Sequence, residues 1–390
     1  MTGSDTDQQF LEPIRTIASG PAAEHADEVD RDARFPHEAI TALKEARALG
    51  AMVDPRHGGR GVSTRAIAEA CFELGRGCAS TGMIFAMHQI KLATVVRHLD
   101  RDPWFEGYAA RVADEQRLIG SITSEIGTGG DMGRSIAAPI PVGDGMFSLE
   151  KRAPTVSYGL EADDLLTTAR RNTDAEESDQ VMILHEVSKT EFEPAGDWDT
   201  LGMRGTCSPG FVVRTVVPQQ QIMATPFATI MAESLVPFAH ILWSHVWLGV
   251  ATAAFDKAHA FVRASGRRNV GEPVPQAQLL ARLLADLQMF RSETSSAVRD
   301  LEELDTAGDR AQFATLATMM RFNNLKLGAS EQAVKVCMSA LETIGIAGYR
   351  NNSPFAVGRH LRDALSAPLM IANERVAATD ARWLLIAKSA

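Results

Sequence analysis

Residues 120–135 read GSITSEIGTGGDMGRS, and this glycine-rich stretch raises the question of what it binds. A phosphate-binding P-loop would end in Gly-Lys-Ser or Gly-Lys-Thr, so that a lysine reaches the terminal phosphates, but no lysine follows these glycines. A dinucleotide-binding fingerprint needs G-x-G-x-x-G between a strand and a helix, and the glycines at 127, 129, 130 and 133 do not have that spacing. The stretch therefore predicts a different ligand, or none.

The composition is that of a globular protein with more than one domain. The chain has 390 residues, of which 45% are hydrophobic, and this length favours two or three domains. Its formal net charge is −10, and because an acidic surface repels phosphate backbones, nucleic acid is not an expected partner. The four cysteines form no CxxC pair, which favours free thiols in a reducing compartment.

The start of the chain and its longest apolar run bear on localisation. The first residues, MTGSDTDQQF, are polar and acidic, unlike a secretory signal. The run ILWSHVWLGVATAAF (241–255) is too short to span a bilayer and is typical of a buried helix. We therefore expect a cytoplasmic protein that does not bind a membrane.

The periodicity of the sequence changes twice along the chain. Up to about residue 117, apolar residues recur three and four positions apart, as in 35–52, which predicts helices. From 118 to about 222, short β-type runs are bounded by glycine, proline or charged residues, which predicts a small antiparallel β domain. These runs are LIGSIT (118–123), MFSLEK (146–151), DLLTTARR (164–171), QVMILHEV (180–187) and FVVRTVVP (211–218).

After Ala224 the helical period returns and continues to the end of the chain. The long segments predicted as helices are 231–264, 275–304, 309–349 and 366–388. Helices, then strands, then helices in one chain predict an α+β protein. The predicted domains are 1–117 (all-α), 118–222 (β) and 223–390 (helical).

Six stretches of the sequence, in chain order, carry a resemblance to a known family. They are VDPRHGGRG (53–61), ELGRGCASTGMIFAMHQ (73–89), SEIGTGGD (124–131), DWDTLGMRGTCS (197–208), RRNVG (267–271), and GIAGY (345–349) with LRDA (361–364). They resemble signature segments of the acyl-CoA dehydrogenase family and keep its order. The resemblance implies an N-terminal all-α domain, a middle antiparallel β-barrel-like domain and a C-terminal four-helix bundle. It also implies a homodimer or homotetramer, because family members share cofactor sites between protomers.

The same resemblance implies that the glycine-rich stretch holds the isoalloxazine ring of a flavin, with FAD as the expected cofactor. Glycines let backbone N–H groups reach the acceptors of the ring, and a hydroxyl such as that of Ser124 adds a donor. Arg267 resembles the arginine that reaches the flavin pyrophosphate of a neighbouring subunit, a task that suits a guanidinium. The expected cofactor-binding positions are Thr123, Ser124, Gly129, Gly130, Ser157, Arg267, Glu342, Gly345 and Asn373.

The catalytic base of the family has no counterpart at its usual place. In acyl-CoA dehydrogenases a glutamate removes the α-proton of the thioester, and the corresponding position here is Ile371, or Met370 after a shift of one residue. An alternative position on the first long C-terminal helix corresponds to about Ala239. The remaining candidates are His240, His88, His245 and Glu374. We expect His240 and His88 to be the catalytic residues, because imidazole accepts a proton near neutral pH.

Three functions are compatible with this resemblance. The first is α,β-dehydrogenation of an acyl thioester, carried on CoA or on a carrier protein, with an electron-transfer flavoprotein as a candidate partner. The second is a flavin monooxygenase on the same scaffold, which uses a C4a-hydroperoxide, needs no α-proton base and takes its reduced flavin from a reductase. The third is a non-catalytic flavin-binding member. Dehydrogenation is the interpretation that we favour.

Overall fold

A computed structural model describes residues 5–268 and 274–387. Helices, then strands, then helices follow one another in the predicted order. The helices of the first block are α1 (Asp5–Ile17), α2 (Ala23–Asp32), α3 (His37–Glu45), α4 (Thr64–Gly77), α5 (Ala79–Val96) and α6 (Trp104–Glu115). Helix α4 begins after Ser63, whose Oγ accepts a hydrogen bond from the Ala66 N–H and so caps the helix. The predicted helix at 35–52 is shorter than expected, because α3 ends at Glu45.

The strands of the middle block form two sheets within the described residues. They are β1 (Ile119–Ile122), β2 (Ile140–Gly143), β3 (Met146–Ala153), β4 (Asp164–Arg170), β5 (Gln180–Glu186), β6 (Thr190–Pro194) and β7 (Phe211–Pro218). One sheet has the strand order β1-β4-β5 and the other β2-β3-β7-β6. The pairing is antiparallel as predicted, except that β1 and β4 are parallel. The two sheets remain separate, so the β-barrel-like domain is not a closed barrel.

The final block consists mainly of long helices. Its helices are α7 (Phe227–Ile230), α8 (Val236–Arg268), α9 (Gln276–Ala307), α10 (Leu316–Ile344), α11 (Ile346–Tyr349), α12 (Gly358–Ala364) and α13 (Asn373–Leu384). The last predicted segment, 366–388, is helical only in α13. The residues before α13 form turns, and Ile371 there has a left-handed φ of 50°. This irregular segment matters because it forms one side of the cavity described below.

Helices α4 and α8 cross closely, and glycines make the approach feasible. A Cβ atom on Gly249 of α8 would lie 2.3 Å from the carbonyl oxygen of Phe72. A Cβ atom on Gly75 of α4 would lie 2.6 Å from the carbonyl oxygen of Val246. Any side chain at either position would push the two backbones apart, so the crossing depends on glycine.

Two of the sequence motifs hold each other in place. The Met203 N–H of the segment DWDTLGMRGTCS donates a hydrogen bond of 2.7 Å to Oδ1 of Asp363 in LRDA. Arg362 of LRDA donates to Oδ1 of Asp30 at 2.8 Å, which ties the final block to α2. Burial raises the pKa of the Asp363 carboxyl to about 6, although Arg359 and the Met203 N–H oppose that rise. The two motifs are therefore structural partners that join all three blocks.

One long helical stretch is strongly apolar. By length and composition, the helical stretch Phe227–Arg267 could cross a membrane, but its most apolar window is entirely buried inside the protein. This stretch includes the run 241–255 and confirms that the run is a buried helix. All four cysteines are free thiols, as predicted.

Candidate active site

A large cavity lies where the three blocks of the chain meet. Its volume is about 1070 Å³, which is enough for a cofactor-sized or elongated ligand. One wall comes from the β domain, a second from α5 and the start of α8, and a third from residues 198–208 and 362–375. The first two walls differ in chemistry and are described in turn.

The β-domain wall is rich in hydroxyl groups. Four positions predicted to bind the cofactor, Thr123, Ser124, Gly130 and Ser157, line this one wall. Ser124 Oγ donates a hydrogen bond of 2.9 Å to the carbonyl oxygen of Thr155. The buried Oγ of Ser121, also on this wall, has no hydrogen-bond partner among the described residues. An unsatisfied buried hydroxyl that borders a cavity indicates a polar ligand there.

The glycine-rich loop has a backbone that side chains would disrupt. Gly127, Gly129 and Gly130 have left-handed φ values of 98°, 64° and 79°. The Arg375 guanidinium donates to the carbonyl oxygen of Gly129, and a Cβ atom on Gly130 would lie 3.0 Å from Nη1 of Arg375. Of these glycines, Gly130 lines the cavity, and its lack of a side chain leaves room for Arg375 beside it.

Glu125 anchors this loop, a role that the sequence reasoning did not assign to it. Its carboxylate accepts hydrogen bonds from Ser135 Oγ and the Ala137 N–H, both at 2.6 Å. Lys151 Nζ lies 3.3 Å from the same carboxylate, and burial lowers the pKa of Lys151 to about 8. The sequence of the motif gave no hint of these partners, because they follow Glu125 by 10 to 26 positions.

The hydroxyl groups and the glycine loop fit a flavin. The isoalloxazine ring presents carbonyl and ring-nitrogen acceptors along one edge, and hydroxyl and backbone donors satisfy such acceptors. The orphaned hydroxyl of Ser121 and the bare backbone at Gly130 are the two features that a polar, flat ligand would use. We conclude that the β-domain wall is suited to hold the ring.

The helical wall is apolar. Its lining residues from α5 are Met83, Ile84, Met87, Ile90 and Lys91, and those from the start of α8 and the preceding turn are Leu235, Val236, Ala239, His240 and Trp243. Trp243 Nε1 donates to the sulfur of Met87 at 3.2 Å, which fixes the two helices against each other. Apart from Lys91 and His240, this wall suits an aliphatic or aromatic substrate.

The ionisable side chains of the lining include no carboxylate among the described residues. Ile371 and Met370, at the usual position of the family's glutamate, both line the cavity. Of the lining cations, Arg362 pairs with Asp30 and Arg375 contacts the Gly129 carbonyl oxygen. The lining Tyr158 donates its OH to the Ile119 carbonyl oxygen at 2.8 Å, and burial raises its pKa well above the usual value.

The two histidines expected to be catalytic differ in position. His240 lines the cavity, and its Nδ1–H donates to the Phe322 carbonyl oxygen at 3.0 Å. Burial lowers the pKa of His240 to about 3, so the ring is neutral at physiological pH.

His88 is not among the described residues that line the cavity. Its Nε2–H donates to the Leu49 carbonyl oxygen at 2.8 Å, and its Nδ1 accepts the Ile119 N–H at 3.0 Å. Both ring nitrogens are thus used to join α5 to β1, and burial lowers the pKa of His88 to about 4. This geometry does not support a catalytic role for His88, which acts as a structural residue.

The other two candidate bases lie outside the described cavity lining as well. His245 Nδ1–H donates to the Ile241 carbonyl oxygen of its own helix at 2.8 Å. Glu374 is exposed in the first turn of α13. Neither geometry favours contact with a ligand in the cavity.

Four of the predicted cofactor positions are not among the described residues that line the cavity. Arg267 is exposed at the end of α8, and the rest of its motif, residues 269–271, lies outside the described residues. Glu342 and Gly345 lie at the end of α10, where Gly345 has a φ of 70°. Asn373 uses its side chain within the protein, because its Nδ2 donates to Ser330 Oγ at 3.0 Å.

Gly129 is adjacent to the lining residue Gly130. The structure therefore brings together Thr123, Ser124, Gly129, Gly130 and Ser157. Asn373 follows the lining residue Ala372 but uses its side chain to bind Ser330, and the other three positions lie elsewhere.

Comparisons with known proteins agree with this architecture. The family model "Acyl-CoA dehydrogenase, N-terminal domain" matches residues 4–100, and "Acyl-CoA dehydrogenase, C-terminal domain" matches 232–371. A probable acyl-CoA dehydrogenase, YngJ, of Bacillus subtilis is 23% identical over 92% of each chain. The mitochondrial isovaleryl-CoA dehydrogenase of Arabidopsis thaliana is 25% identical over 92% of this chain and 86% of its own.

Solved structures of similar fold include both dehydrogenases and FMN-bound proteins. KijD3 in complex with FMN and a dTDP-linked amino sugar has a TM-score of 0.86, with 23% identity and coverage of 99% of this chain and 95% of its own. The butyryl-CoA dehydrogenase of Megasphaera elsdenii has a TM-score of 0.82, with 20% identity and 99% coverage of both chains. FMN-bound TdsC from Paenibacillus sp. A11-2 has a TM-score of 0.81, with 21% identity and 97% coverage of both chains. At these identities the similarity concerns the fold.

The fold, the site and the family matches define the class of the protein, a flavin-dependent oxidoreductase. Within that class, the chain belongs to the acyl-CoA dehydrogenase family, whose two domain models together cover more than half of it.

Proposed function

We propose that the protein catalyses the α,β-dehydrogenation of an acyl thioester, with FAD as its cofactor. The observation that carries this proposal is the presence of two different walls in one cavity, a hydroxyl- and glycine-lined wall and an apolar helical wall. The first suits the ring of a flavin, and the second suits an acyl chain held beside it. Family membership supports the thioester as the substrate class.

Each wall has its own task in this proposal. A flavin bound at the β-domain wall supplies the two-electron acceptor for the oxidation. The hydroxyls of Ser121, Thr123 and Ser157 would bind the polar edge of the ring, and Gly130 would let it approach the backbone. On the opposite side, Met87 and Trp243 exclude water and position the acyl chain.

The position of Arg267 decides what its proposed role in FAD binding would require. Helix α8 runs from the cavity at His240 to Arg267, a separation of about 40 Å at 1.5 Å per residue. Arg267 is therefore too distant to contact a flavin in the cavity of its own chain. A role in binding the pyrophosphate of FAD requires a second protomer, as in a homodimer or homotetramer.

A monooxygenase is the second candidate, and one observation favours it. No carboxylate is found among the described residues of the cavity lining, so the family's usual proton acceptor has no substitute of the same type there. A monooxygenase needs no such group, and TdsC, described as a dibenzothiophene monooxygenase, has the same fold. In that case the partner would be a flavin reductase instead of an electron-transfer flavoprotein. For either reaction we propose a cytoplasmic location.

Two assays separate the two candidates, and the first is done without oxygen. The purified protein, loaded with FAD, is mixed with a panel of saturated acyl thioesters, and the flavin absorbance is followed. Dehydrogenation predicts bleaching with at least one thioester and a stoichiometric 2-enoyl product. If no thioester bleaches the flavin, and reduced flavin from a reductase supports rapid O₂ uptake instead, the dehydrogenase proposal is overturned in favour of the monooxygenase.

A further inference from the structure

A lysine occupies the apolar helical wall of the cavity. Lys91 is only 1% exposed, yet it lines the cavity on the same face of α5 as Ile84 and Met87. The spacing of three and four residues between these positions places their side chains in one stripe that faces the cavity. Its neighbours in this stripe, Ile84 and Met87, are both apolar.

Lys91 has no counter-charge. No hydrogen bond or ion pair to its Nζ is found among the described residues, whereas the guanidinium groups of Arg362 and Arg375 are both engaged. Burial is the only cause that shifts the pKa of Lys91, and it lowers that pKa to about 7. A large share of the amine is therefore neutral near physiological pH and has a lone pair available.

The packing of α5 on α8 locates Lys91 along the cavity. Met87 of α5 contacts Trp243 of α8. Ten residues further along the chain, Arg97 Nε donates to the carbonyl oxygen of Glu233, which lies ten residues before Trp243, at 2.9 Å. The two helices therefore run antiparallel, and Lys91 is level with Ala239 and His240.

We propose that Lys91 is the proton acceptor for the α-hydrogen of the thioester substrate, an inference that rests on the proposed dehydrogenase function. In this step the Cα–H bond breaks and its electron pair stays on the substrate as the thioester enolate. The proton forms a new N–H bond on the neutral amine. The resulting ammonium then stabilises the negative charge of the enolate in a site from which water is excluded.

His240 is the rival acceptor in the same cavity, and its chemistry is less suitable. A base whose conjugate acid has a pKa of about 3 accepts a proton far less readily than one with a pKa of about 7. The Nδ1–H of His240 is also committed to the Phe322 carbonyl oxygen. His240 is better suited to orient the substrate through its remaining ring nitrogen.

Proton exchange tests this inference without requiring turnover. A 3-thiaacyl thioester has sulfur in place of Cβ, so it can lose its α-proton but cannot be oxidised to an enoyl product. The FAD-loaded protein is incubated with this analogue in D₂O, and deuterium incorporation at Cα is measured by mass spectrometry. The wild-type protein should catalyse the exchange, and Lys91→Met should slow it by roughly 10²–10⁴-fold, the usual contribution of a general base.

The binding of the analogue and a control variant separate catalysis from folding. Titration calorimetry should give similar affinities for the wild-type protein and Lys91→Met, and Lys189→Met, at an exposed lysine of the β domain, should exchange at the wild-type rate. Added small primary amines should partly restore exchange to Lys91→Ala. Exchange by Lys91→Met at the wild-type rate would overturn the role of Lys91 and leave the dehydrogenase proposal intact. If the wild-type protein neither exchanges the analogue nor is bleached by any saturated thioester, the proposed function itself fails.

Discussion

Lys91 and His240 face the same cavity but differ in what holds them. His240 is fixed by a hydrogen bond to the Phe322 carbonyl oxygen, whereas Lys91 has no partner among the described residues. An ammonium group buried without a partner costs folding free energy, and an apolar side chain of similar length at this position would avoid that cost. A residue of this kind is consistent with a functional role that offsets its effect on stability.

The stability of Lys91→Met should reveal this cost and its dependence on pH. The pKa of Lys91 is about 7 in the folded protein and 10.5 for an ordinary lysine, so the folded state binds its proton less tightly than the unfolded state. The cost is fully present below pH 7 and fades as the pH rises towards 10.5. Lys91→Met should therefore be more stable than the wild-type protein at pH 7, by a few kcal/mol at roughly 1.4 kcal/mol per pKa unit.

Denaturant unfolding at a series of pH values between 6 and about 10 measures this difference. The gap in the free energy of unfolding between the two proteins should shrink as the pH rises. A gap that is absent, or that stays constant across this range, would show that Lys91 is solvated or paired. Lys189→Met is again the control, since its exposed amine should give no such gap.

The residues of the site could be predicted from the sequence only in part. Ser124, Gly130 and Ser157 were identified from the family resemblance, and they do share one wall. His88 was expected to be catalytic, but the residues of α5 that line the cavity are Met83, Ile84, Met87, Ile90 and Lys91. Because α5 is buried on almost every side, its sequence has no polar stripe to show which face meets the cavity.

At the scale of the elements, the structure depends on a few close approaches. The crossing of α4 and α8 brings Gly249 against the backbone of Phe72 and sets the position of both helices. Helix α8 in turn carries His240 and Trp243 into the cavity.

The predicted strands were found because their runs are apolar and bounded by turns, whereas β2 and β6 were not predicted. Every residue of β2 is exposed and β6 reads TEFEP, so neither has the apolar alternation that indicates a strand.

Replacement of Gly249 by alanine should therefore destabilise the protein. The new Cβ would lie 2.3 Å from the Phe72 carbonyl oxygen, and the backbones would have to separate, at a cost of roughly 1–3 kcal/mol. Gly328→Ala in α10 is the matched control, because no atom lies within 4 Å of the Cβ there and alanine favours the helix by about 0.5–1 kcal/mol. Thermal unfolding should show a lower Tm for the first variant and an unchanged or higher Tm for the second. Equal effects of the two would contradict the close crossing.

At the scale of the whole molecule, hydrogen bonds from one sequence motif connect the three blocks. Asp363 of LRDA holds the backbone of Met203, and Arg362 binds Asp30, so one short helix joins the three blocks. The order of the blocks could be predicted from periodicity alone. The parallel pairing of β1 with β4 could not, because strands distant in sequence leave no local signal of their direction.

The proposed sharing of the cofactor between protomers can be tested by flavin binding. If Arg267 binds the pyrophosphate of a neighbouring protomer's FAD, Arg267→Ala should weaken FAD binding by roughly 10–100-fold, the effect of losing a charge-assisted hydrogen bond. The affinity for FMN, which lacks the pyrophosphate and adenosine, should change little. Arg263→Ala, one turn earlier on the exposed face of α8, is the control and should bind both flavins as the wild-type protein does.

Titration of the flavin-free protein with FAD, followed by flavin fluorescence, tests the central claim most directly. The account predicts saturable binding of one flavin per protomer, with the ring in the cavity beside Ser121 and Ser157. It further predicts that Gly130→Val, which would place a side chain against Arg375 in the left-handed loop, abolishes this binding. A wild-type protein that remains colourless and binds neither FAD nor FMN at any concentration would contradict it.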